Sequence, residues 1–167
     1  MPKRWVSLLF IALCLFGYAA SSQGAATTSN LTVNTTVAAR ASLVLASATI
    51  NFPDSDPTTV PSIGATENAV NVTARVRTGS ASTATLQVLA GGDLTSGSNA
   101  ITIDNVTWTA TGAGFTGGTM NKTTPQAAGS WTGPGVYAGT FSYFLANSWN
   151  YATGNYSATI TYTLTAP

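Results

Sequence analysis

The sequence predicts an all-β protein, an immunoglobulin-like β-sandwich of about seven or eight strands. Apolar and polar residues alternate over most of the chain, which is typical of strands with one buried and one solvated face. Clusters of glycine, proline, aspartate and serine interrupt the alternation about every 8–12 residues, as turns do in a sandwich. β-Branched and aromatic residues dominate the runs, and no segment combines the helical period with capping residues.

The N-terminus has the three parts of a secretory signal peptide. Two positive charges precede an apolar stretch at Trp5–Phe16, and small residues follow, ending in Gly24-Ala25-Ala26. We predict a signal peptide at 1–26 and a single β-sandwich domain at 27–167, which places the protein in the periplasm, at the cell surface or outside the cell. Cleavage after Ala19 and retention as a membrane anchor are the alternatives.

Alternating runs predict the strands in chain order. The clearest run is 156–165, in which Tyr156, Ile160 and Leu164 share one face while polar residues, mostly threonines, occupy the other. The run at 43–52 is apolar on both faces, which favours a central strand between two layers. The predicted strands lie at 31–37, 43–52, 70–77, 84–88, 101–108, 137–145 and 156–165.

Breaks in the alternation predict the connections between these strands. The phase slips by one residue at Asp104-Asn105, which predicts a bulge or tight turn. Thr78-Gly79-Ser80 is expected to close a hairpin between the strand ending at Arg77 and the next one. The glycine-rich stretches 112–118 and 129–135 are expected to be long and irregular.

The side chains that most enzymes use are nearly absent. The chain has no histidine, and its one cysteine, Cys14, lies within the predicted signal peptide. A serine nucleophile therefore has no imidazole base, and zinc has none of its preferred ligands. Five carboxylates stand in turn-like contexts, and calcium binding by Asp54 and Asp56 is the remaining metal alternative. We therefore expect a protein that is not an enzyme, with no catalytic residues, no cofactor and no metal.

The charge of the predicted mature chain is close to zero. Four bases minus five acids give a net charge of −1 for residues 27–167. Nucleic-acid binding needs clustered lysine and arginine to displace counterions, so we expect no nucleic-acid partner. The bases are Arg40, Arg75, Arg77 and Lys122, and the acids are Asp54, Asp56, Glu67, Asp93 and Asp104.

The tryptophans support an alternative hypothesis for the function. Trp108 and Tyr143 lie in alternating runs and are expected to fill the core. Trp131 and Trp149 lie in loop-like surroundings, which makes them the candidates for a ligand-binding face. On this hypothesis the protein is a self-contained secreted binding module whose partner is a polysaccharide.

Both ends of the predicted domain carry a recognisable pattern. The alternating run Asn30–Val37 opens the domain, an apolar segment ending in Ile50-Asn51-Phe52 follows, and Gly154-Asn155-Tyr156 leads into the last alternating run. This layout resembles pilins of the archaic chaperone–usher type and the related spore coat U domain. Those families usually carry cysteines after the first strand and in the middle of the domain, and this chain has none there.

The resemblance implies a structural subunit of a cell-surface polymer, a pilus, fimbria or coat with a role in cell adhesion. Its mechanism would be strand donation, in which the N-terminal strand of one subunit fills an apolar groove in the next. Its partners would be copies of itself or related subunits, a periplasmic chaperone and an outer-membrane usher. The donor-strand candidates are Leu31, Val33, Thr35 and Val37.

Overall fold

The computed structural model describes residues 24–167, so the predicted signal peptide at 1–26 lies outside the described residues except for its last three. Internal contacts divide the chain into two units, and the unit 36–167 contains every strand. In the other unit, the described residues 24–35 form neither helix nor strand.

The prediction of an all-β sandwich is confirmed for the described residues. Eleven short strands replace the seven or eight expected, because glycine-rich connections contribute short pairs of their own. The only helical element among residues 24–167 is one 3₁₀ turn at Ile103–Asn105. The strands are β1 (Arg40–Leu45), β2 (Ser62–Gly64), β3 (Val70–Arg77), β4 (Thr83–Ala90), β5 (Leu94–Ser96), β6 (Asn99–Ile101), β7 (Val106–Thr111), β8 (Gly118–Thr119), β9 (Gln126–Thr132), β10 (Gly135–Ala146) and β11 (Ile160–Thr165).

Two antiparallel sheets pack face to face. The larger sheet has the order β1-β3-β10-β7-β8, with β2 also paired to β10. The smaller sheet has the order β11-β4-β9, and β5 and β6 form a separate hairpin. That hairpin turns at Gly97, whose φ of 57° lies in the left-handed region that glycine adopts without strain.

The core follows directly from the alternation seen in the sequence. Along β3, every second residue is buried and the residues between are exposed or half-buried, and β4 shows the same alternation. Trp108, Phe141 and Leu86 are the largest side chains that are almost fully buried. Each such side chain contributes about 1.5–3 kcal/mol through removal of apolar surface from water.

Three strand predictions needed correction. No strand forms at 31–37, where the described residues belong to neither helix nor strand. The strand expected at 43–52 begins earlier and ends at Leu45, because the apolar residues beyond it pack on the core from an irregular segment. The last strand begins at Ile160 rather than at residue 156, after Ser157 bridges to Thr95 of the β5–β6 hairpin.

The predicted connections were partly right. A tight 3₁₀ turn at Ile103–Asn105 confirms the turn expected at Asp104-Asn105. The hairpin at Thr78-Gly79-Ser80 was wrong: β3 and β4 have the expected ends but belong to different sheets, so this turn connects the two layers. The stretch 129–135 was also wrong, because most of it belongs to β9.

Candidate functional site

One side of the sandwich is left open. β1 is the edge strand of the larger sheet and β11 is the edge strand of the smaller one. These two strands lie beside each other, with Cα atoms as close as 8 Å or less. No backbone hydrogen bond joins them within residues 36–167, so each presents a row of unpaired N–H and C=O groups.

Burial decreases from the middle of the sandwich towards this open edge. In β3 and β4 the inward-facing residues are 0–6% exposed. In β1 and β11 no residue reaches that degree of burial, although the inward-facing side chains still pack against the core. The incompletely covered side chains are Leu43, Leu45, Ile160, Tyr162 and Leu164.

A pair of tyrosines fixes β11 across the two layers. The hydroxyl groups of Tyr143 in β10 and Tyr162 in β11 are 2.8 Å apart and share a hydrogen bond. The Tyr162 ring also stacks on Phe141, with ring centroids 5.6 Å apart. Burial raises the pKa of both phenols above the ordinary value, and for Tyr162 the neighbouring Tyr143 adds to the effect. Both therefore remain neutral at physiological pH, and neither is a base or a nucleophile there.

The donor-strand candidates lie in a segment that has no strand partner in the described part of the chain. Leu31 is 89% exposed, Val33 83% and Val37 66%. Thr35 is exposed as well. Monomeric proteins rarely leave a regular series of large apolar side chains in water.

The Ile50-Asn51-Phe52 motif is held in place by Glu67. The backbone N–H and the side-chain amide of Asn51 donate to the two carboxylate oxygens of Glu67, at 2.7 and 2.6 Å. These hydrogen bonds lower the pKa of Glu67 from 4.5 to about 2. Ile50 and Phe52 on either side pack against the core. Glu67 is thus a structural carboxylate in a loop, and sequence reasoning identified the loop but not the partner.

The opposite side of the sandwich is closed by aromatic packing and by backbone pairing. Trp131 was expected in a loop, but it lies in β9 and is only 6% exposed. Its indole N–H donates to the carbonyl of Ala113 at 2.8 Å, and its ring stacks on Tyr137 with centroids 4.9 Å apart. Phe115 meets the same ring edge to face and forms an isolated bridge with Gly129. The segment 112–118 therefore covers the free edge of β9.

Trp149 behaves differently from Trp131. It lies in the turn after β10, is 72% exposed, and its indole N–H donates to the hydroxyl of Thr58 at 3.1 Å. The two tryptophans therefore do not share one face. Sequence spacing missed this difference because β9 does not alternate cleanly: Ala128 and Gly129 are both buried where the register with β4 shifts.

Among residues 24–167, no group of three or more histidine, cysteine, aspartate or glutamate side chains is placed to hold a metal ion. Asp93 accepts a hydrogen bond from Lys122 at 2.5 Å, and this contact lowers its pKa. The described residues also contain no helix with the length and apolar character needed to cross a bilayer.

No protein-family model, curated protein or solved structure matches the chain significantly.

Proposed function

We propose that this chain is an exported structural subunit of a cell-surface polymer, a pilus or coat, that assembles by donating its N-terminal strand to the next copy. The observation that supports this proposal is the coincidence of an open edge and an exposed alternating run that pairs with no strand in the described residues. The inward-facing residues of β1 and β11 are incompletely covered, while Leu31, Val33 and Val37 lie exposed in an alternating run.

The two features match in size and chemistry. The run 31–37 spans about 23 Å when extended, and the six residues of β11 span about 20 Å, at about 3.3 Å per residue. Burial of the three large apolar side chains of the run would contribute about 1.5–3 kcal/mol each, or about 5–9 kcal/mol together. That sum is comparable with the stability of a whole small domain, about 5–15 kcal/mol.

Turn chemistry favours donation to another copy over a hairpin within the chain. Only Ala38 and Ala39 separate the run from β1. A two-residue hairpin loop needs positive φ angles, which glycine, asparagine and aspartate adopt far more readily than alanine. The run is therefore poorly suited to folding back against β1 of its own chain.

Insertion requires a movement of the acceptor. A strand that pairs with both β1 and β11 needs two strand spacings of about 4.8 Å between them, or about 9.6 Å in total. The two edges approach to 8 Å or less, so they must separate by at least about 2 Å where they are closest. In a subunit without a donor, the close approach of β1 and β11 covers part of the core. A periplasmic chaperone would hold the two strands apart before an usher adds the subunit to the polymer.

The proposal is tested with the exported chain and a variant lacking residues 27–38. We expect polymers of the full chain by electron microscopy, and a folded monomer without polymers for the deletion variant. Unfolding of the deletion variant would show that the segment belongs to its own domain, which contradicts donation. Leu31→Asp with Val33→Asp should abolish polymers, whereas the matched pair Thr32→Asp with Asn34→Asp, on the other face, should reduce assembly by less than about tenfold.

The exposure of Trp149 favours a second candidate, a polysaccharide-binding module. An exposed indole held by a hydrogen bond to Thr58 has the form of a stacking platform for a sugar ring. Trp149→Ala should then remove retention of the chain on immobilised polysaccharide without lowering the melting temperature. Unchanged retention in an affinity column would exclude this residue as the contact.

A further inference from the structure

The charged side chains of the described chain are divided between the two ends of the sandwich. Arg40 and Arg77 are directly opposite each other in the β1–β3 ladder, and Arg75 lies two residues along on the same face. All three are exposed. Like charges placed opposite each other destabilise a sheet, and no arginine takes part in an ion pair within residues 24–167. This arginine end is where β1 begins and β3 ends.

The five carboxylates all lie at the other end. β3 and β7 both begin against the half of β10 that lies away from the arginine end, because Val70 is opposite Phe141 and Val106 is opposite Leu145. Glu67 precedes β3 and Asp104 precedes β7, whereas Asp93 follows the end of β4. The loop that contains Asp54 and Asp56 is tied to the same place, since the Asn147 amide just after β10 donates to the carbonyl of Ser55 at 2.9 Å.

The division of charge is nearly complete. The acidic end holds five carboxylates and Lys122, giving −4, and the arginine end holds three arginines, giving +3. The eight residues of β3 separate the two ends by about 26 Å at about 3.3 Å per residue. That distance is about three Debye lengths at physiological ionic strength, so the ends do not neutralise each other within one subunit.

We propose that the arginine end of one copy docks against the acidic end of the next copy in the polymer. This inference rests on the proposed strand donation. Arg40 follows Val37, the last donor residue, by three positions, so the arginine end of the donating copy must lie within about 10 Å of the point where the donor leaves its acceptor. If the donor leaves the acceptor at the acceptor's acidic end, opposite charges of the two copies come together. If it leaves at the acceptor's arginine end, six arginines come together.

The charge pattern therefore also fixes the direction of the donor. β11 runs from the acidic end, where Ile160 is opposite Ala90, to the arginine end, where Thr165 is opposite Thr85. A donor that leaves at the acidic end runs antiparallel to β11. The resulting contact joins two different surfaces of the same chain, which is the head-to-tail arrangement that produces open filaments instead of closed dimers.

The first experiment measures the elongation rate of polymers by light scattering at 50 and 500 mM NaCl. We expect the unmodified chain to elongate at least tenfold more slowly at high salt, because steering between opposite charges is screened. Arg75→Gln with Arg77→Gln should elongate about tenfold more slowly at low salt and lose most of the salt dependence. Gln87→Glu with Thr161→Glu lowers the net charge by the same two units on the outer face of the smaller sheet, away from the arginine end, and should keep both the rate and the salt dependence.

The second experiment identifies the partner of the arginine end. Arg75→Glu with Arg77→Glu and Asp54→Lys with Asp56→Lys should each assemble poorly alone, and an equimolar mixture should recover at least a tenfold higher rate. Salt sensitivity without recovery in the mixture would assign the arginines to a different anion and overturn the inference. Circular dichroism melts of all four variants should stay within a few degrees of the unmodified chain, which separates assembly from folding.

A third measurement separates this inference from the proposed function. A fluorescent peptide of residues 30–37 should bind the variant that lacks residues 27–38, as followed by anisotropy. Peptide binding and normal polymers, with no effect of salt or of charge reversal, would overturn the end-to-end docking and leave strand donation intact. Absence of both peptide binding and polymers would overturn strand donation, and the docking with it.

Discussion

The two sides of this sandwich are completed in different ways. At the β9 side, the Trp131 ring stacks on Tyr137 and meets Phe115 edge to face, and the segment 112–118 pairs with the free edge of β9. At the β1–β11 side, the Tyr162 ring stacks on Phe141, but no backbone hydrogen bond joins the two strands within residues 36–167. The same fold thus covers one edge with a segment of its own chain and leaves the other edge uncovered within residues 36–167.

The largest expected contrast is between truncations on the two sides. Trp131→Ala should lower the free energy of unfolding by about 3–5 kcal/mol, because it opens a cavity beneath a stacked ring. Leu164→Ala on the open side should cost less than about 2 kcal/mol, since that side chain is already incompletely covered. Urea denaturation of the variant lacking residues 27–38 measures both. Equal losses at the two positions would contradict the description of one side as open.

A second contrast tests how tightly the closed side is packed. A Cβ atom on Gly129 would lie 2.5 Å from the Trp131 ring, so Gly129→Ala should destabilise by about 1–3 kcal/mol through overpacking. Gly92→Ala is the matched control, because nothing lies within 4 Å of a Cβ atom there. Thermal melts of the two variants should differ by several degrees, and coincident melts would show that the ring moves aside without cost.

The tyrosine pair tests the attachment of the open side. Tyr162→Phe removes one hydroxyl and leaves that of Tyr143 without its partner, so we expect a loss of about 1 kcal/mol. The ring stacking on Phe141 remains, which keeps β11 in place. A loss near 3 kcal/mol in urea denaturation would mean that the hydroxyl pair, and not the ring packing, holds this strand.

The smallest expected effect is the pH dependence of the hydrogen bonds that Glu67 accepts from Asn51. The pKa of Glu67 is about 2 when folded and 4.5 when unperturbed, so its contribution is complete above pH 4.5 and is lost as the pH falls through about 2. Stability should therefore decline over this range, and Glu67→Gln should flatten the decline. Asp93 contributes in the same direction through Lys122, so only the difference between the two profiles is assigned to Glu67. Parallel pH profiles of the unmodified chain and Glu67→Gln would show that the hydrogen bonds between Asn51 and Glu67 do not contribute to this decline in stability.

The sequence predicted the strands in which buried residues recur at every second position. β3, β4 and most of β10 were anticipated because inward-facing apolar residues recur at every second position over much of each strand. The pairing of β3 with β10 instead of β4 was not anticipated, because a short polar turn serves equally well as a hairpin or as a connection between layers. Trp131 was misplaced because glycines, not alternation, make room for its ring.

The candidate site could be anticipated only in part. The exposed alternating run was visible as a pattern, because the residues Leu31, Val33 and Val37 share a face in any extended chain. The division of charge between the two ends of the sandwich could not be predicted from the positions of the charged residues in the sequence. It depends on which strand ends coincide in space, and that follows from the registers of β3, β7 and β10.

The register of the smaller sheet has a consequence for the order of folding. β4 pairs with β11, joining Ala90 to Ile160 and Thr85 to Thr165, so the partners are 70 to 80 residues apart in the chain. Closure of such long loops makes all-β proteins slow to fold, on the scale of milliseconds to seconds. During that interval one edge of β4 has no hydrogen-bonded partner strand. A nascent chain in this condition is prone to aggregate, so its rate of synthesis and its local concentration should strongly affect the yield of folded protein.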